Sequence, residues 1–216
     1  MRAENCIELT MEFLKNKFDE SEYFSDKKSE KDYRFEHSVR VANIGKIIAE
    51  KEGMDSDAMV IACLLHDISY INEFKTREEA RNHGRYSAKI ARPFLEEIGI
   101  EPEVIEDICY GIAIHVDDEA DFPGERTAFA LSVGDADNID RFDAYRIFEN
   151  LKWVKYDEMS LPEKNEHVNK VIERLASYKN LDFATETGKK MWIEKLDYQI
   201  GFYKKLLAQI KNSELR

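Results

Sequence analysis

The residues of this chain that could do chemistry are histidines and aspartates spread over about half of its length. Four of the five histidines take part, and one of them is directly followed by an aspartate. The candidates are His37, His66, Asp67, His83 and His115, followed by an aspartate cluster at Asp135, Asp137 and Asp140. An ordered series of nitrogen and oxygen ligands is what a divalent-metal hydrolase needs to hold an ion that activates water.

The doublet His66-Asp67 is the most informative pair. Adjacent side chains on an ideal helix diverge by about 100°, but both can converge on one ion where the chain leaves a helix. Imidazole and carboxylate together suit Mn, Fe, Ni, Co or Zn, whereas Mg and Ca prefer shells richer in oxygen. No cysteine joins the set, and carboxylate ligands leave positions open for water and substrate. The pattern therefore favours a catalytic metal centre over a structural one.

Helices must position these side chains, because the apolar residues recur with helical periodicity through most of the chain. His37, for example, lies one turn before Val41 on the apolar face of its helix. Helices are predicted over residues 4–18, 33–51, about 56–66, 77–98, 102–115, 127–155, 162–179 and 186–212, with a polar loop at 20–31. No alternating pattern long enough for a strand is present.

Several helix ends carry a local signal. Gly53 follows the second helix as a C-terminal glycine should, and Asp55 or Ser56 caps the next one. Pro102 occupies a favoured first-turn position, whereas Pro93 is expected to kink or divide the helix that contains it. These features predict one all-α domain over residues 1–216, with a helical C-terminal extension.

Composition limits the classes of function. Of the 216 residues, 43% are hydrophobic and 35% charged, which favours a globular chain over a disordered one. The formal net charge of -12 repels nucleic-acid backbones and anionic membranes, so we expect neither as a partner. A small phosphorylated ligand remains compatible with this charge, because a bound cation reverses the potential inside a cleft.

The cysteines and the N-terminal segment give further expectations. The three cysteines show no metal-binding spacing, and Cys63 and Cys109 lie in apolar stretches, so both are predicted to be buried and inert. No stretch approaches about 18 uninterrupted apolar residues, and the N-terminal segment is acidic and amphipathic. We expect a cytoplasmic protein.

Three phrases carry a resemblance to a known family. Segments 36–42 (EHSVRVA), 62–68 (ACLLHDI) and 136–140 (ADNID) resemble, in order and spacing, the H…HD…D signature of the HD-domain metal-dependent phosphohydrolase superfamily. The resemblance covers about residues 33–145, and residues 146–216 would form the extension. It implies an HD-type helical bundle whose metal centre hydrolyses phosphomonoesters, phosphodiesters or nucleotide phosphoanhydrides.

The resemblance also implies roles for individual residues. The first-shell metal ligands would be His37, His66, Asp67 and Asp137. Asp137 matches the ligand of the family's closing phrase, with Asp135 as the alternative. Asp67 would also orient the attacking water.

Two further histidines extend the pattern towards HD proteins that bind a second ion. His83 opens the phrase HGRYSA, which resembles a phrase of small phosphohydrolases of this superfamily, and His115 ends an apolar helix. Each would bind a metal or contact the substrate phosphate. Arg85 and Arg141 are the candidates for stabilising negative charge on the phosphoryl group. One ion is expected, and a second is possible.

The expected substrate is a nucleotide or a similar small phosphorylated compound. Val116 and Asp117 follow His115 where cyclic dinucleotide phosphodiesterases carry "GYP", and Tyr70 replaces a glutamate common in nucleoside monophosphate phosphatases. Two alternatives stay open: a non-catalytic HD regulatory or ligand-binding module, and an HD-fold di-iron oxygenase. Aromatic residues of the last helix would dock it on the domain or pack a partner subunit, so a homodimer is possible.

Overall fold

The computed structural model describes residues 3–118 and 121–213, and in these residues the regular structure is entirely helical. The all-α prediction is confirmed. The helices are α1 (Ala3–Asp19), α2 (Lys28–Glu52), α3 (Ser56–Leu65), α4 (Arg77–Arg81), α5 (His83–Glu97), α6 (Pro102–Ile114), α7 (Ala128–Arg141), α8 (Ala144–Trp153), α9 (Leu161–Tyr178) and α10 (Glu186–Lys211). Short 3-10 segments cover Glu22–Phe24, Ile68–Ile71 and Tyr156–Glu158.

Helix α3 is the centre of the core. Its residues 58–65 are all buried, and it packs against α1, α2 and α6. The helix begins where the Asp55 carboxylate accepts hydrogen bonds from the N–H groups of Asp57 and Ala58, both at 3.0 Å. This N-cap is worth about 1 kcal/mol. The apolar run thus ends at a fixed place, directly before His66.

Several predicted helix boundaries differ from the structure. Residues 20–31 are not all loop, because the buried ring of Phe24 packs on Phe18 at 5.5 Å and α2 already begins at Lys28. Pro93 does not divide its helix. A proline has no N–H to donate to the carbonyl four residues earlier, but Pro93 is exposed, so that carbonyl can bond to water instead. The helix predicted over 127–155 is divided near Asp143, whose carboxylate caps α8.

The chain forms two compact units. The first contains the residues up to Asp140 together with Phe183–Gly188, and it holds every histidine candidate. The second contains Arg141–Asp182 and the residues from Lys189 onward. In the second unit, the Trp192 indole N–H donates to the Tyr178 carbonyl at 2.9 Å. The predicted domain bounds stay a prediction.

Two smaller expectations can be compared with the described residues. Cys63 and Cys109 are buried free thiols, and burial raises the pKa of Cys109 to about 11, which keeps this thiol protonated and inert. Among the described helices, none is long and apolar enough to cross a lipid bilayer.

Candidate metal centre

Helix ends bring three of the four histidines together. His66 directly follows α3, and His115 directly follows α6. His83 is the first residue of α5, and it directly follows Asn82, the C-cap of the short helix α4. His37 instead lies inside α2, where it is buried. A helix end lets the side chain project past the last turn, so several helices can contribute ligands to one small volume.

The first cluster combines two imidazoles with two carboxylates. His37 Nε2 lies 3.1 Å from Asp137 Oδ1 and 3.8 Å from Asp67 Oδ2. His66 Nε2 lies 3.6 Å from Asp67 Oδ2 and 3.9 Å from Asp137 Oδ1. Ligands held about 2.1 Å from a single ion are themselves about 3–3.5 Å apart. These four atoms are therefore spaced much as one ion requires.

The second cluster uses the other oxygen of the same aspartate. Asp67 Oδ1 lies 3.1 Å from His83 Nε2 and 3.6 Å from His115 Nε2, and the two Nε2 atoms are 3.0 Å apart. Two groups with metal-binding geometry therefore share Asp67, one on each carboxylate oxygen. Asp67 would therefore offer one oxygen to each cluster if both held an ion.

All four histidines are held through Nδ1. The Nδ1 atoms of His66, His83 and His115 lie 2.6–2.7 Å from the backbone carbonyl three residues earlier, at Cys63, Ala80 and Ile112. His37 Nδ1 lies 2.7 Å from the Asp140 carboxylate. Because a carbonyl or carboxylate oxygen only accepts, each Nδ1 must carry the proton. A ring in its neutral form then presents the Nε2 lone pair to the clusters, as metal-ligating histidines do.

The pKa values of these groups differ with their neighbours. Burial lowers the pKa of His66 to about 4, so this imidazole is neutral at pH 7. Burial also opposes the charged form of His37, but the Asp137 and Asp140 carboxylates outweigh it and raise the His37 pKa to about 9. Asp67 is ionised despite its burial, because His66, His115, His83 and Arg34 hold its pKa well below the usual range.

Helix α7 presents Asp137 and Asp140 to the site but directs Asp135 elsewhere. Each residue of a helix is rotated by about 100° from the one before it, so residues two apart lie on nearly opposite faces. Asp135 and Asp137 therefore cannot serve one site. The Asp135 carboxylate accepts a hydrogen bond from the Ala184 N–H at 2.8 Å, and burial raises its pKa to about 6. The geometry supports Asp137 as the ligand.

Two glycines allow the helices to approach closely enough. A Cβ added at Gly84 would lie 2.7 Å from the Ile112 carbonyl oxygen and 3.0 Å from His115 Nδ1. A Cβ at Gly134 in α7 would lie 3.0 Å from the His115 carbonyl oxygen. The absence of both side chains lets α5 and α7 reach the end of α6, and this contact places His83 beside His115.

Serine hydrogen bonds fix the segment after the doublet. The Ser69 hydroxyl donates to the His83 carbonyl at 2.8 Å, and the Ser87 hydroxyl donates to Ser69 Oγ at 2.9 Å. The Ser69 N–H donates to Ser87 Oγ at 3.1 Å. This buried network joins the 3-10 segment that follows Asp67 to the first turns of α5.

Two arginines that the sequence analysis gave no role contact the centre. Arg34 Nη1 donates to Asp67 Oδ2 at 2.9 Å, and its guanidinium carbon lies 3.4 Å from the centroid of the Tyr70 ring. Arg40 donates through Nε to Asp140 Oδ1 at 2.8 Å. The available signal is their helical spacing, since Arg34 stands one turn before His37 and Arg40 one turn after it.

The two arginines singled out in the sequence lie elsewhere. Arg85 is nearly buried, and its guanidinium bonds the carboxylates of Asp117 and Asp121, the latter at 2.6 Å. Arg141 is exposed and belongs to the second unit. A phosphate-binding role for either one stays a prediction.

The donor set fits a divalent metal. His66 Nε2 is buried and has no hydrogen-bond partner among the described residues. The Nε2 atoms of His83 and His115 face each other at 3.0 Å, where two lone pairs would repel unless a proton or a cation lies between them. Both features are explained by a cation that binds Nε2.

A family model for the HD domain matches residues 34–145, which is just over half of the chain. The chain belongs to the HD domain family. HD domains bind divalent metals, and the two clusters described above could hold one.

One solved structure shows the same fold. The chain is similar to a predicted HD superfamily hydrolase from an uncultured Thermotogales bacterium, with a TM-score of 0.62 and 20% identity over 93% of this chain and 90% of that one. It also matches the Listeria monocytogenes phosphodiesterase PgpH HD domain in complex with cyclic-di-AMP. That match has a TM-score of 0.37 and 16% identity, over 78% of this chain and 91% of that one, and it supports no inference about ligands. Among curated proteins, no sequence matches this HD-family chain.

Proposed function

We propose that this HD-family protein is a metal-dependent phosphohydrolase that acts on a nucleotide or another small phosphorylated compound. One observation carries the proposal: four buried or half-buried histidines turn Nε2 towards the two oxygens of Asp67. A structural zinc site closes a tetrahedral shell with protein ligands, whereas a five- or six-coordinate ion held by the four ligands of the first cluster would keep positions for water and substrate.

The geometry is compatible with the following roles for the candidate ligands. His37, His66, Asp67 and Asp137 would hold one ion of Mn, Fe, Ni, Co or Zn, and His83 and His115 would hold a second on the other Asp67 oxygen or contact the phosphate. A bound divalent ion would supply an activated water and polarise a phosphoryl oxygen. With its Oδ1 atom between His83 and His115, Asp67 is placed to orient that water.

Arg34 is the best placed residue to stabilise charge on the phosphoryl group. Its guanidinium lies against Asp67, and Tyr70 covers one face of the cation. Burial would lower the Arg34 pKa, but Asp67 and the nearby tyrosines outweigh burial and raise it, so the charge is retained. The positive charge therefore lies one hydrogen bond from Asp67, where it would stabilise negative charge on a phosphoryl oxygen.

Charge favours a small substrate. The formal net charge of -12 opposes binding of long nucleic acids, whereas Arg34 and Arg40 bring two cations to the carboxylates of the metal centre. The cytoplasmic location and the homodimer stay predictions.

The test is release of phosphate and pyrophosphate from nucleoside mono- and triphosphates with Mn²⁺. We expect release by the native protein and none by His66→Ala/Asp67→Ala. His167→Ala is the matched control, because the fifth histidine lies in the second unit; it should retain activity. Melting curves establish that each variant is folded.

The same samples separate the alternatives. Metal-loaded native protein that releases neither product contradicts the proposed function. Iron content with oxygen consumption would then indicate the di-iron oxygenase, for which the six ligands of the two clusters would suffice. Metal binding with neither reaction would indicate a regulatory module.

A further inference from the structure

An aromatic path leads from the metal centre towards the surface. The ring of Tyr70 lies 5.0 Å from that of His83 and 5.1 Å from that of Phe74. Phe74 is itself 6.4 Å from His83 and 6.3 Å from Tyr86, with its ring nearly parallel to that of Tyr86. The path therefore begins at a candidate ligand of the second cluster and ends at Tyr86 on α5.

The outer end of this path borders a cavity of about 360 Å³. Small-molecule sites in proteins typically have volumes of about 300–1,000 Å³ and combine aromatic walls with a few polar groups. The cavity is lined by Asn72, Glu73, Phe74, Lys75, Glu79 and Tyr86. Its wall thus contains two of the aromatic rings of the path.

These rings are not explained by core packing. Tyr86 is 37% exposed although it is a large aromatic residue, and Phe74 is only half-buried. Aromatic residues that serve the core of this unit, such as Phe18 and Tyr110, are almost fully buried. An exposed ring beside a polar cavity retains a free face on which a planar group can stack.

The polar rim of the cavity favours a neutral planar group with polar edges. Glu79 fixes the rim, because its carboxylate accepts hydrogen bonds from the N–H groups of Lys75 and Thr76. Asn72 and Glu73 are exposed at the rim, where they can bond the edge of a ring. The carboxylates of Glu73 and Glu79 outnumber the single cation of the lining, Lys75, so the cavity is less favourable for a phosphate than for a base. The phosphate would then lie at the other end of the path, near His83.

We propose that this cavity, here called the base subsite, binds the nucleobase of a nucleotide whose phosphate is cleaved at the metal centre. The inference rests on the proposed function and narrows its substrate class to nucleotides. The base stacks on Phe74 or Tyr86, while the sugar spans the distance along Tyr70 to His83. Stacking of a base on an aromatic side chain contributes about 1–3 kcal/mol, or about 5- to 150-fold in affinity.

The first experiment compares substrates that differ only in the base. The ratio of kcat/KM for adenosine 5'-monophosphate to that for ribose 5-phosphate is measured with Mn²⁺, and ATP is compared with tripolyphosphate in the same way. We expect the native protein to prefer each nucleotide, and Tyr86→Leu and Phe74→Leu to reduce that preference about 5- to 100-fold. Tyr198→Leu, an exposed tyrosine of the second unit, is the matched control and should keep the native ratio.

The outcomes distinguish this inference from the proposed function. Hydrolysis by the native protein without preference for the nucleotides would overturn the base subsite and leave the phosphohydrolase intact. Hydrolysis with a preference that survives both substitutions would also overturn it.

A binding measurement covers the case in which no substrate is hydrolysed. Calorimetric titration with a non-hydrolysable ATP analogue should show weaker binding to Tyr86→Leu than to Tyr198→Leu. Equal affinities of these two variants, or no binding to the native protein, would overturn the base subsite whatever the activity. Because Tyr86 is exposed, this variant is expected to fold even if Phe74→Leu does not.

Discussion

The contact between α5 and α6 makes one substitution a sensitive test of how the metal centre is assembled. An added Cβ at Gly84 would lie 2.7 Å from the carbonyl oxygen of Ile112 and 2.8 Å from that of Ala113. These atoms are backbone, so they cannot rotate away as a flexible side chain can. Gly84→Ala therefore forces α5 and α6 apart at the point where His83 meets His115.

The size of the effect follows from two opposing terms. Alanine in place of glycine inside a helix stabilises by about 0.5–1 kcal/mol, and by less in the first turn, where Gly84 lies. Overpacking of a tight contact costs about 1–3 kcal/mol. We expect Gly84→Ala to lower the free energy of unfolding by about 1–2 kcal/mol. It should also weaken the second metal cluster, because that cluster needs the 3.0 Å approach of His83 and His115.

The matched control is the same substitution at Gly201 in α10. An added Cβ there would meet no atom within 4 Å, so only the helix-propensity gain remains and Gly201→Ala should raise the free energy of unfolding. Urea unfolding followed by circular dichroism measures both variants, and metal titration counts the ions bound. The reasoning is refuted if Gly84→Ala is as stable as the native protein and binds metal with unchanged affinity and stoichiometry.

Three further predictions concern the metal centre. Arg34→Gln should lower kcat/KM for the substrate about 100-fold, because it removes a cationic donor from the phosphoryl group. Arg34→Lys should recover part of the activity. Equal kinetics of the native protein and Arg34→Gln would exclude a role of Arg34 in stabilising the phosphoryl charge. Asp137→Asn should weaken Mn²⁺ binding at least 10-fold, whereas Asp135→Asn should change it less than about 2-fold, because Asp135 bonds the Ala184 N–H. If a metal titration shows the larger loss for Asp135→Asn, Asp135 and not Asp137 is the metal ligand. Chelation of the metal should abolish hydrolysis, and added Mn²⁺ should restore it; activity that persists in metal-free protein, checked by elemental analysis, would rule out a metal mechanism.

Local signals explain most of what the sequence predicted about the fold. The cap at Asp55, the left-handed Gly53 after α2 and Pro102 at the start of α6 all act within one helical turn. Each signal therefore marks the same helix end in an isolated segment as in the folded chain. The sequence does not predict the break between α4 and α5 at Asn82, because the apolar pattern of a single helix continues through it over residues 77–98.

The residue types of the candidate site could be predicted from the sequence, but their geometry could not. The order of His37, His66-Asp67 and Asp137 is legible in the sequence because these side-chain types bind divalent transition metals and because the phrases around them resemble those of the HD family. The division of the Asp67 oxygens between two clusters depends on where α4, α5 and α6 end in space, which no local pattern specifies. The contact of Arg34 with Asp67 likewise joins residues 33 positions apart.

Asp135 and Asp137 illustrate the limit most clearly. Helix geometry alone shows that two residues so close in sequence cannot both serve one site. Which of them faces the histidines depends on the rotation of α7 about its own axis. Gly134 permits the observed rotation, because an added Cβ there would lie 3.0 Å from the His115 carbonyl oxygen.

The candidate ligands have a consequence for the durability of the protein, because they come from segments far apart in the chain. His37 and Asp137 are separated by 100 positions, and the ligands between them stand at the ends of three other helices. An ion bound in either cluster would act as a crosslink between such segments that exists only in the folded state. At a free concentration 100 times its dissociation constant, it would add about 2.7 kcal/mol to the free energy of unfolding. Metal supply would then set the lifetime of the folded chain as well as its activity.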